Sequence, residues 1–206
     1  MAKLYFRYGA MNSGKTTALL QVAFNYKERG MRVLILKPSV DTKGGDMLVS
    51  RLGIGCKVDA LVTKDMNILD LVAKDREEHG PLACVLCDES QFFTPKQAEE
   101  LFLVTVDLGI PVICYGLRAD FMLRGFPGST RLLELAHTIE ELKTICACGR
   151  KATCNGRKVN GKYVFEGDQI AIDTVDNVEY QSLCPQCWYR EYRAFLKRTG
   201  KTETSY

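Results

Sequence analysis

Short apolar runs alternate with amphipathic segments over the first two-thirds of the chain. The apolar runs predict four strands, at residues 4–8, 32–37, 82–87 and 110–115. Apolar residues spaced three and four apart predict three helices, at residues 15–29, 66–78 and 95–108. A polar stretch rich in glycine, residues 41–55, predicts a loop. This rhythm predicts an α/β domain with a mainly parallel sheet and helices on both faces.

The pattern changes near Cys146. Cysteines cluster beyond this point, and glycines separate short polar segments, at positions 149, 156, 161 and 167. Such a region predicts a small module of hairpins and loops that is held together by a metal. We therefore expect the chain to divide into an α/β domain, a cysteine-rich domain and a polar tail, at residues 1–142, 143–192 and 193–206.

Composition excludes several classes of protein. The 206 residues carry a net charge of +3, which is too small to indicate a nucleic acid as partner. No apolar run approaches the roughly 18 residues of a membrane-spanning helix. No secretory signal is visible before the first motif, so we expect a cytoplasmic protein. Nine cysteines then indicate metal ligands or buried thiols, because disulfides are rare in a reducing compartment.

A phosphate-binding motif, the P-loop, follows the first predicted strand. It matches G-x-x-x-x-G-K-[ST] and consists of Gly9, Ala10, Met11, Asn12, Ser13, Gly14, Lys15 and Thr16. Its glycines let backbone amides turn towards phosphate oxygens at the positive end of a helix. Lys15 would reach the terminal phosphates, and the Thr16 hydroxyl would bind Mg²⁺. The motif predicts a P-loop NTPase-type domain that binds a nucleoside triphosphate.

The third predicted strand ends in two acidic residues. An apolar strand that runs into Asp88 is typical of the Walker B arrangement, in which the aspartate helps to hold Mg²⁺. Glu89 would face the γ-phosphate and accept a proton from an attacking hydroxyl or water. With the P-loop, these residues predict phosphoryl transfer or hydrolysis driven by ATP or GTP, and they do not name the acceptor.

Two close cysteine pairs flank the loop-rich region. Cys146 and Cys148 form the first pair, Cys184 and Cys187 the second, and four such thiolates can close a tetrahedral structural Zn²⁺ site. The C-x-C spacing of the first pair is tighter than the usual C-x-x-C, which leaves Cys154 as an alternative ligand.

Three further cysteines belong to predicted strands. Cys84 and Cys87 are three residues apart in one strand, so their side chains point to opposite faces and cannot share a metal. We expect both of them, and Cys114, in the core. The sequence assigns no place to Cys56.

Taken together, these segments resemble the type II thymidine kinases. The similarity spans nearly all of residues 2–192 and rests on three motifs besides the cysteine pairs. These are Y-G-A-M-N-S-G-K-T at 8–16, D-E-S-Q-F at 88–92 and C-Y-G-L-R-A-D-F at 114–121. The first cysteine pair, within C-A-C-G-R-K at 146–151, is similar to the bacterial branch of the family.

The resemblance implies transfer of the ATP γ-phosphate to the 5′-hydroxyl of thymidine or deoxyuridine. Glu89 would be the general base, and Thr16 and Asp88 would hold Mg²⁺. The nucleotide would contact the P-loop and the residues that follow the third strand, Asp88, Glu89, Ser90 and Gln91. The family is also homotetrameric and inhibited by thymidine triphosphate, so the same is expected here.

The resemblance also implies where the nucleoside binds. Phe121 would stack on the pyrimidine, and Met11 and Leu117 would line the pocket for its methyl group. Tyr180 would lie near the sugar or base. The loop between the cysteine pairs would form a lasso over the base and bind it through the backbone of Ile170, Ala171, Ile172, Asp173 and Thr174. Thymine is neutral and flat, so an aromatic face and backbone groups suit it.

The chain departs from the family pattern in two places. Many members carry Ile-Gly-Gly in the lasso, whereas residues 172–175 are Ile-Asp-Thr-Val here. Several members carry Asp-Thr-Arg after the second strand, whereas residues 41–43 are Asp-Thr-Lys. The lysine keeps a positive charge near the phosphates but lacks the two-pronged hydrogen bonding of arginine.

Two other functions fit part of the sequence. A nucleic-acid-stimulated ATPase of the recombinase type shares the P-loop and α/β core, but this chain lacks a basic patch with interleaved aromatic residues. A zinc-ribbon binding module with a vestigial nucleotide site would not keep every P-loop residue intact. The expected partners are therefore a nucleoside and ATP, with neither nucleic acid nor membrane.

Overall fold

The structure, a computed structural model, describes residues 1–41, 45–169 and 177–202. The helices in these ranges are α1 (Lys15–Glu28), α2 (Ile68–His79), α3 (Pro95–Val106), α4 (Pro127–Leu135) and α5 (Pro185–Thr199). The strands are β1 (Leu4–Tyr8), β2 (Val33–Pro38), β3 (Met47–Val49), β4 (Gly55–Lys57), β5 (Ala60–Val62), β6 (Cys84–Cys87), β7 (Val112–Gly116), β8 (Thr138–Glu141), β9 (Thr144–Ile145), β10 (Lys151–Ala152), β11 (Cys154–Val159), β12 (Lys162–Val164) and β13 (Val178–Leu183). None of the described helices combines the length and the apolar content that crossing a lipid bilayer requires.

A six-stranded sheet forms the centre of the first of two compact units. This unit comprises Met1–Tyr8, Gly14–Arg118 and Phe126–Leu142. The strand order is β5-β2-β6-β7-β1-β8, and all neighbouring strands are parallel. Parallel strands need crossover connections, which α1, α2 and α3 supply. The carboxyl ends of β1 and β6, which carry the P-loop and the acidic pair, therefore lie at the same edge of the sheet.

Apolar side chains cover both faces of this sheet. All four residues of β6 are buried, and they alternate between the two faces. Cys84 packs in the cluster that contains Leu19 of α1, whereas Cys87 packs in the cluster that contains residues of α2, α3 and α4, such as Leu101. The predicted fold, a mainly parallel sheet with helices on both faces, is thus confirmed, and the six-stranded sheet is wholly parallel.

Two parts of the first unit differ from the prediction. Residues 41–55 were expected to form a loop, but β3 and β4 form an antiparallel hairpin there, with Leu48 packed in the same cluster as α1. Each strand has only three residues, which is too short for a period of two to stand out. The hydrophobic pattern also did not indicate α4 or the edge strand β8, which pairs with β1.

The second compact unit comprises Gly9–Ser13, Ala119–Gly125 and Lys143–Tyr206. Its described part contains the β9–β10 ribbon, an antiparallel sheet in the order β12-β11-β13, and α5. Ten buried side chains among its described residues form a core that includes Phe165 and Trp188. A core of this size supports a small module, and the ring of Phe165 packs edge-on against that of Trp188 at 5.1 Å between centroids.

The helix α5 was not expected, since only hairpins and loops were predicted beyond residue 146. Its residues Trp188, Tyr192 and Phe195 are spaced four and three apart and bury one face, so the signal was present in the sequence. Cys184 is the N-cap residue, and its Sγ accepts a hydrogen bond from the Cys187 N–H at 3.4 Å. The helix passes without a break through residue 193, the expected start of the tail.

Candidate functional site

The P-loop joins β1 to α1. Two of its residues, Asn12 and Gly14, have left-handed backbone angles, with φ values of 65° and 78°. Glycine adopts this region at no steric cost, and Gly14 is the N-cap residue of α1. Left-handed residues beside a helix N-terminus are the elements from which anion-binding nests of N–H groups are built. Lys15 follows and is only 8% exposed, and this burial lowers the pKa of its ammonium group.

The hydroxyl of Thr16 donates a hydrogen bond to Oδ2 of Asp88 at 3.0 Å. Burial, together with the charge of neighbouring Glu89, raises the pKa of Asp88 to about 7. The other carboxylate oxygen of Asp88, Oδ1, is buried and has no hydrogen-bond partner within the described part of the chain. A hydroxyl beside a buried carboxylate oxygen that lacks a donor is a set of oxygen ligands that suits Mg²⁺.

Glu89 sits on a strained backbone turn with its side chain held in place. Its φ of 47° and ψ of 37° are left-handed values that non-glycine residues adopt at a cost of about 1–3 kcal/mol. The Glu89 carboxylate accepts a hydrogen bond from Nε2 of Gln91 at 2.5 Å. Oε1 of Gln91 in turn accepts from the Leu117 N–H at 2.9 Å. Ser90 is buried, and its hydroxyl donates to the carbonyl of Tyr115 at 2.9 Å. Gln91 thus fixes the direction of the carboxylate.

In the second unit, Met11 of the P-loop is held by two strands. Its N–H donates to Oδ1 of Asn155 at 2.8 Å, and its carbonyl accepts a hydrogen bond from the hydroxyl of Ser182. Nδ2 of Asn155 also donates to the carbonyl of Ala119 at 2.8 Å. Sequence reasoning missed Asn155 and Ser182, because nothing in the local pattern marks a strand residue whose partner is 144 positions away.

Phe121, the predicted stacking residue, is 1% exposed. The guanidinium carbon of Arg157 lies 3.7 Å from the centroid of its ring. The indole N–H of Trp188 donates to the Phe121 carbonyl at 2.9 Å. Tyr180 of β13 lies opposite Arg157 of β11, and side chains opposite each other in an antiparallel pair share a face. The structure thus gathers Met11, Phe121 and Tyr180 along these two strands.

The remaining predicted nucleoside contacts divide between the first unit and the lasso. Leu117 directly follows β7 and is 8% exposed. Gln169, just before the lasso, donates through Nε2 to Asp120 Oδ2 at 3.2 Å and to the Gly125 carbonyl at 3.3 Å. The five predicted lasso contacts lie outside the described residues: Ile170, Ala171, Ile172, Asp173 and Thr174.

The four paired cysteines come together in the second unit. Their Sγ atoms all lie within 4.8 Å of one another: Cys146, Cys148, Cys184 and Cys187. The sulfur atoms of Cys148 and Cys184 are 3.6 Å apart. A tetrahedral Zn²⁺ with Zn–S bonds of about 2.3 Å needs sulfur atoms about 3.8 Å apart, so the donors and spacing fit zinc. The Cys187 N–H lowers the pKa of the Cys184 thiol to about 6, whereas hydrogen bonds to Cys148 and Cys184 raise the pKa of Cys187 to about 12, so the fit to a metal rests on the geometry.

The other cysteines have separate environments. Cys154, the alternative ligand, lies outside the group of four and packs in the core of the second unit. Cys87 and Cys114 are paired in register on β6 and β7 and are both fully buried. Burial also raises the pKa of Cys84 to about 12. Cys56 is half-buried and packs against the cluster that contains α1.

Comparison with known proteins identifies the family. The family model described as thymidine kinase matches residues 2–188. The chain belongs to the thymidine kinase family. A family member named thymidine kinase from Ruegeria pomeroyi is 45% identical over 190 residues, which is 91% of this chain and 94% of that protein. One from Rhodopirellula baltica is 48% identical over 186 residues, covering 89% of this chain and 86% of that protein. One from Chromobacterium violaceum is 45% identical over 193 residues, covering 93% and 100%.

Among solved structures, the Thermotoga maritima RuvB Holliday junction branch migration motor is similar to this chain. The match covers 68% of this chain and 37% of the RuvB chain. The sequence identity is 17% and the TM-score is 0.37. At that score the likeness supports no statement about function, and in particular none in favour of a nucleic-acid-stimulated ATPase.

Proposed function

We propose that this chain transfers the γ-phosphoryl group of ATP to the 5′-hydroxyl of thymidine. Membership of the thymidine kinase family supports the acceptor. The observation that carries the chemistry is the acidic pair that follows β6, with Asp88 hydrogen-bonded to Thr16 and Glu89 oriented by Gln91. Thr16 and Asp88 would hold a Mg²⁺ whose charge neutralises the phosphates, and Glu89 is a positioned base, so these groups meet two requirements of phosphoryl transfer.

The phosphates are bound by the P-loop amides of residues 9–16 and by Lys15. Thr16 and Asp88 would hold Mg²⁺, which when bound neutralises charge on the phosphate oxygens. The Glu89 carboxylate takes the proton from the 5′-hydroxyl of the nucleoside. At the same time, the 5′-oxygen forms a bond to the γ-phosphorus. The bond from that phosphorus to the β,γ-bridging oxygen breaks, and ADP leaves with the electron pair. We assign Ser90 and Gln91 to holding this segment rather than to direct contact with the nucleotide, since their side chains are engaged within the protein.

Phe121 would stack on the pyrimidine, with Met11 and Tyr180 in the same unit, and Leu117 stays a predicted contact for the methyl group. As the family resemblance implies, the backbone of residues 170–174 would bind the base and exclude water, which would otherwise compete with the nucleoside hydroxyl. Zn²⁺ held by the four paired cysteines would have a structural role, because these cysteines flank both ends of this loop. We further propose deoxyuridine as a second acceptor.

The organisation and regulation of the protein follow from the same proposal. We propose a nucleotide-binding domain at residues 1–142 and a zinc-binding lasso domain from residue 143, whereas the boundary expected at residue 193 falls inside α5. Assembly into a homotetramer, inhibition by thymidine triphosphate and a cytoplasmic location stay predictions.

The test measures products from purified protein with ATP and Mg²⁺. In one arm thymidine is supplied, and in the other single-stranded DNA. We expect ADP and thymidine monophosphate in equal amounts in the first arm and no stimulated ADP release in the second. ADP release with DNA, combined with none from thymidine, would make the chain an ATPase of another kind.

A further inference from the structure

We propose that Arg157 is a positioning residue of the nucleoside site. It sets the place of the Phe121 ring and of residues 166–168, which lead into the lasso. The proposal rests on the proposed function, in which Phe121 stacks on the base, and it adds a residue that none of the predicted contacts includes.

The guanidinium of Arg157 makes three interactions from a buried position. Its carbon lies 3.7 Å from the centroid of the Phe121 ring, a cation–π distance. Nη1 donates to the carbonyl of Asp168 at 2.8 Å, and Nη2 donates to the carbonyl of Glu166 at 2.6 Å. The side chain is 6% exposed, so little water competes for these contacts. One planar group thus joins the aromatic ring to the chain before the lasso.

Gly167, between the two acceptor residues, leaves room for this arrangement. Its φ of 100° is in the region that favours glycine. A Cβ at this position would lie 2.8 Å from Nη2 of Arg157, which is closer than such atoms approach. The backbone at residues 166–168 is therefore shaped around the guanidinium. A residue larger than glycine would displace the guanidinium, the loop or both.

The consequence concerns the geometry of base binding. Because Arg157 covers one face of the Phe121 ring, a stacked base has only the opposite face. Because Arg157 donates to the carbonyls of Glu166 and Asp168, it fixes residues 166–168 relative to that ring. Gln169 adds a second link, through its hydrogen bonds to Asp120, which precedes Phe121, and to Gly125, four residues after it. Loss of Arg157 should therefore weaken nucleoside binding and leave ATP binding intact.

The experiment compares Arg157→Met and Arg157→Lys with the wild-type protein. Methionine keeps most of the apolar stem and removes the cation and both hydrogen bonds. We expect the KM for thymidine to rise about tenfold or more in Arg157→Met, with the KM for ATP within about twofold of wild type. Lysine keeps the charge but not the planar guanidinium, so the KM of Arg157→Lys for thymidine should lie between those of the wild type and Arg157→Met.

The matched control is Arg193→Met. The Arg193 guanidinium also lies over an aromatic ring, that of Tyr189 at 4.7 Å, but both residues are on the exposed side of α5. We expect its kinetics to equal those of the wild type. Zinc content and the thermal unfolding midpoint are measured for every variant. If Arg157→Met does not fold, the KM values of Arg157→Lys and Gly167→Ala test the proposal instead. The alanine at position 167 disturbs the contact between the Arg157 guanidinium and residues 166–168 from the loop side.

Binding is also measured without turnover. Trp188 is the only tryptophan in the chain, and its indole N–H is bonded to the Phe121 carbonyl. Its fluorescence therefore reports thymidine binding beside Phe121, and Arg157→Lys should shift the titration to higher concentration. Folded Arg157 variants with wild-type KM and titration would overturn the proposal, while wild-type turnover of thymidine would still stand. Absence of that turnover in the wild type would instead overturn the proposed function, and the present proposal with it.

Discussion

The side-chain amide of Asn155 accepts a hydrogen bond from the backbone N–H of Met11 at 2.8 Å. Asn155 is 5% exposed, and its Nδ2 also donates to the carbonyl of Ala119. One buried amide thus connects the P-loop to the segment that carries Phe121. If the Asn155 side chain is removed, the Met11 N–H and the Ala119 carbonyl lose this partner in a buried position, which costs free energy.

Substitution of this amide should impair catalysis by displacing the loop. We expect Asn155→Ala to lower kcat/KM about 10- to 100-fold, because displacements near 1 Å have effects of this size. The unmet N–H and carbonyl should also cost about 1–3 kcal/mol of unfolding free energy. Asn155→Asp keeps the acceptor for Met11 but not the donor for Ala119, so its kcat/KM should lie between those of the alanine variant and wild type. Steady-state kinetics and denaturant unfolding measure both effects, and an alanine variant as active as wild type would contradict the assignment.

Glu89→Gln should separate binding from chemistry. The amide keeps the size of the side chain but cannot accept the proton of the 5′-hydroxyl, so kcat should fall by about 10²- to 10⁴-fold. The affinity for ATP, measured by calorimetry with the purified variant, should change little. Glu99→Gln serves as the control, because Glu99 is an exposed residue that pairs with Arg131. A Glu89→Gln rate within a few-fold of wild type would remove Glu89 from the role of general base.

Asp88→Asn should alter the response to Mg²⁺. The amide has one carbonyl oxygen and no charge, so it is a weaker ligand for a hard cation. We expect the Mg²⁺ concentration for half-maximal activity to rise about tenfold or more, together with a lower kcat. Asp65→Asn, at an exposed residue that binds the Thr63 hydroxyl, should leave the Mg²⁺ curve unchanged. An identical curve for Asp88→Asn would place the cation elsewhere.

Loss of two cysteines should remove the metal. We expect about one zinc per chain in the wild type and almost none in the double variant Cys184→Ser, Cys187→Ser, as measured by elemental analysis. The second unit should then lose its fold, because a structural zinc supplies about 10 kcal/mol or more of apparent binding free energy. Cys154→Ser is the matched control and should keep the metal, since Cys154 lies outside the group of four. Full zinc in the double variant would refute the assignment.

Several elements of the fold could be predicted because their causes are local. A strand buried on both faces has a continuous apolar run, and β6 shows one, with Cys84 and Cys87 on opposite sides as the period of two requires. The P-loop follows β1 and precedes α1 as its motif demands. The helix α5 could also have been found, since Trp188, Tyr192 and Phe195 follow the helical period. The density of cysteine and glycine before it drew the prediction towards loops.

The contacts that shape the candidate site were decided by tertiary structure. Asn155 and Met11 are 144 positions apart, and Asn155 and Ala119 are 36 apart. Arg157 reaches Phe121 in the register in which β11 pairs with β13. A shift of one residue would turn the Arg157 side chain to the other face of the sheet. Whether a polar strand residue meets solvent or a backbone group depends on which segments the folded chain brings beside it.

The sequence by itself therefore determined the parallel α/β core, the P-loop, the acidic pair and the two cysteine pairs. Each of these depends on spacing within a few residues, which the periods of strand and helix translate directly into geometry. Only the tertiary structure decided that the Leu117 N–H holds Gln91, that Asn155 holds the P-loop and that the Arg157 guanidinium lies over Phe121. These partners are chosen when distant segments pack together, because a buried donor or acceptor must then find whichever group lies within hydrogen-bond reach.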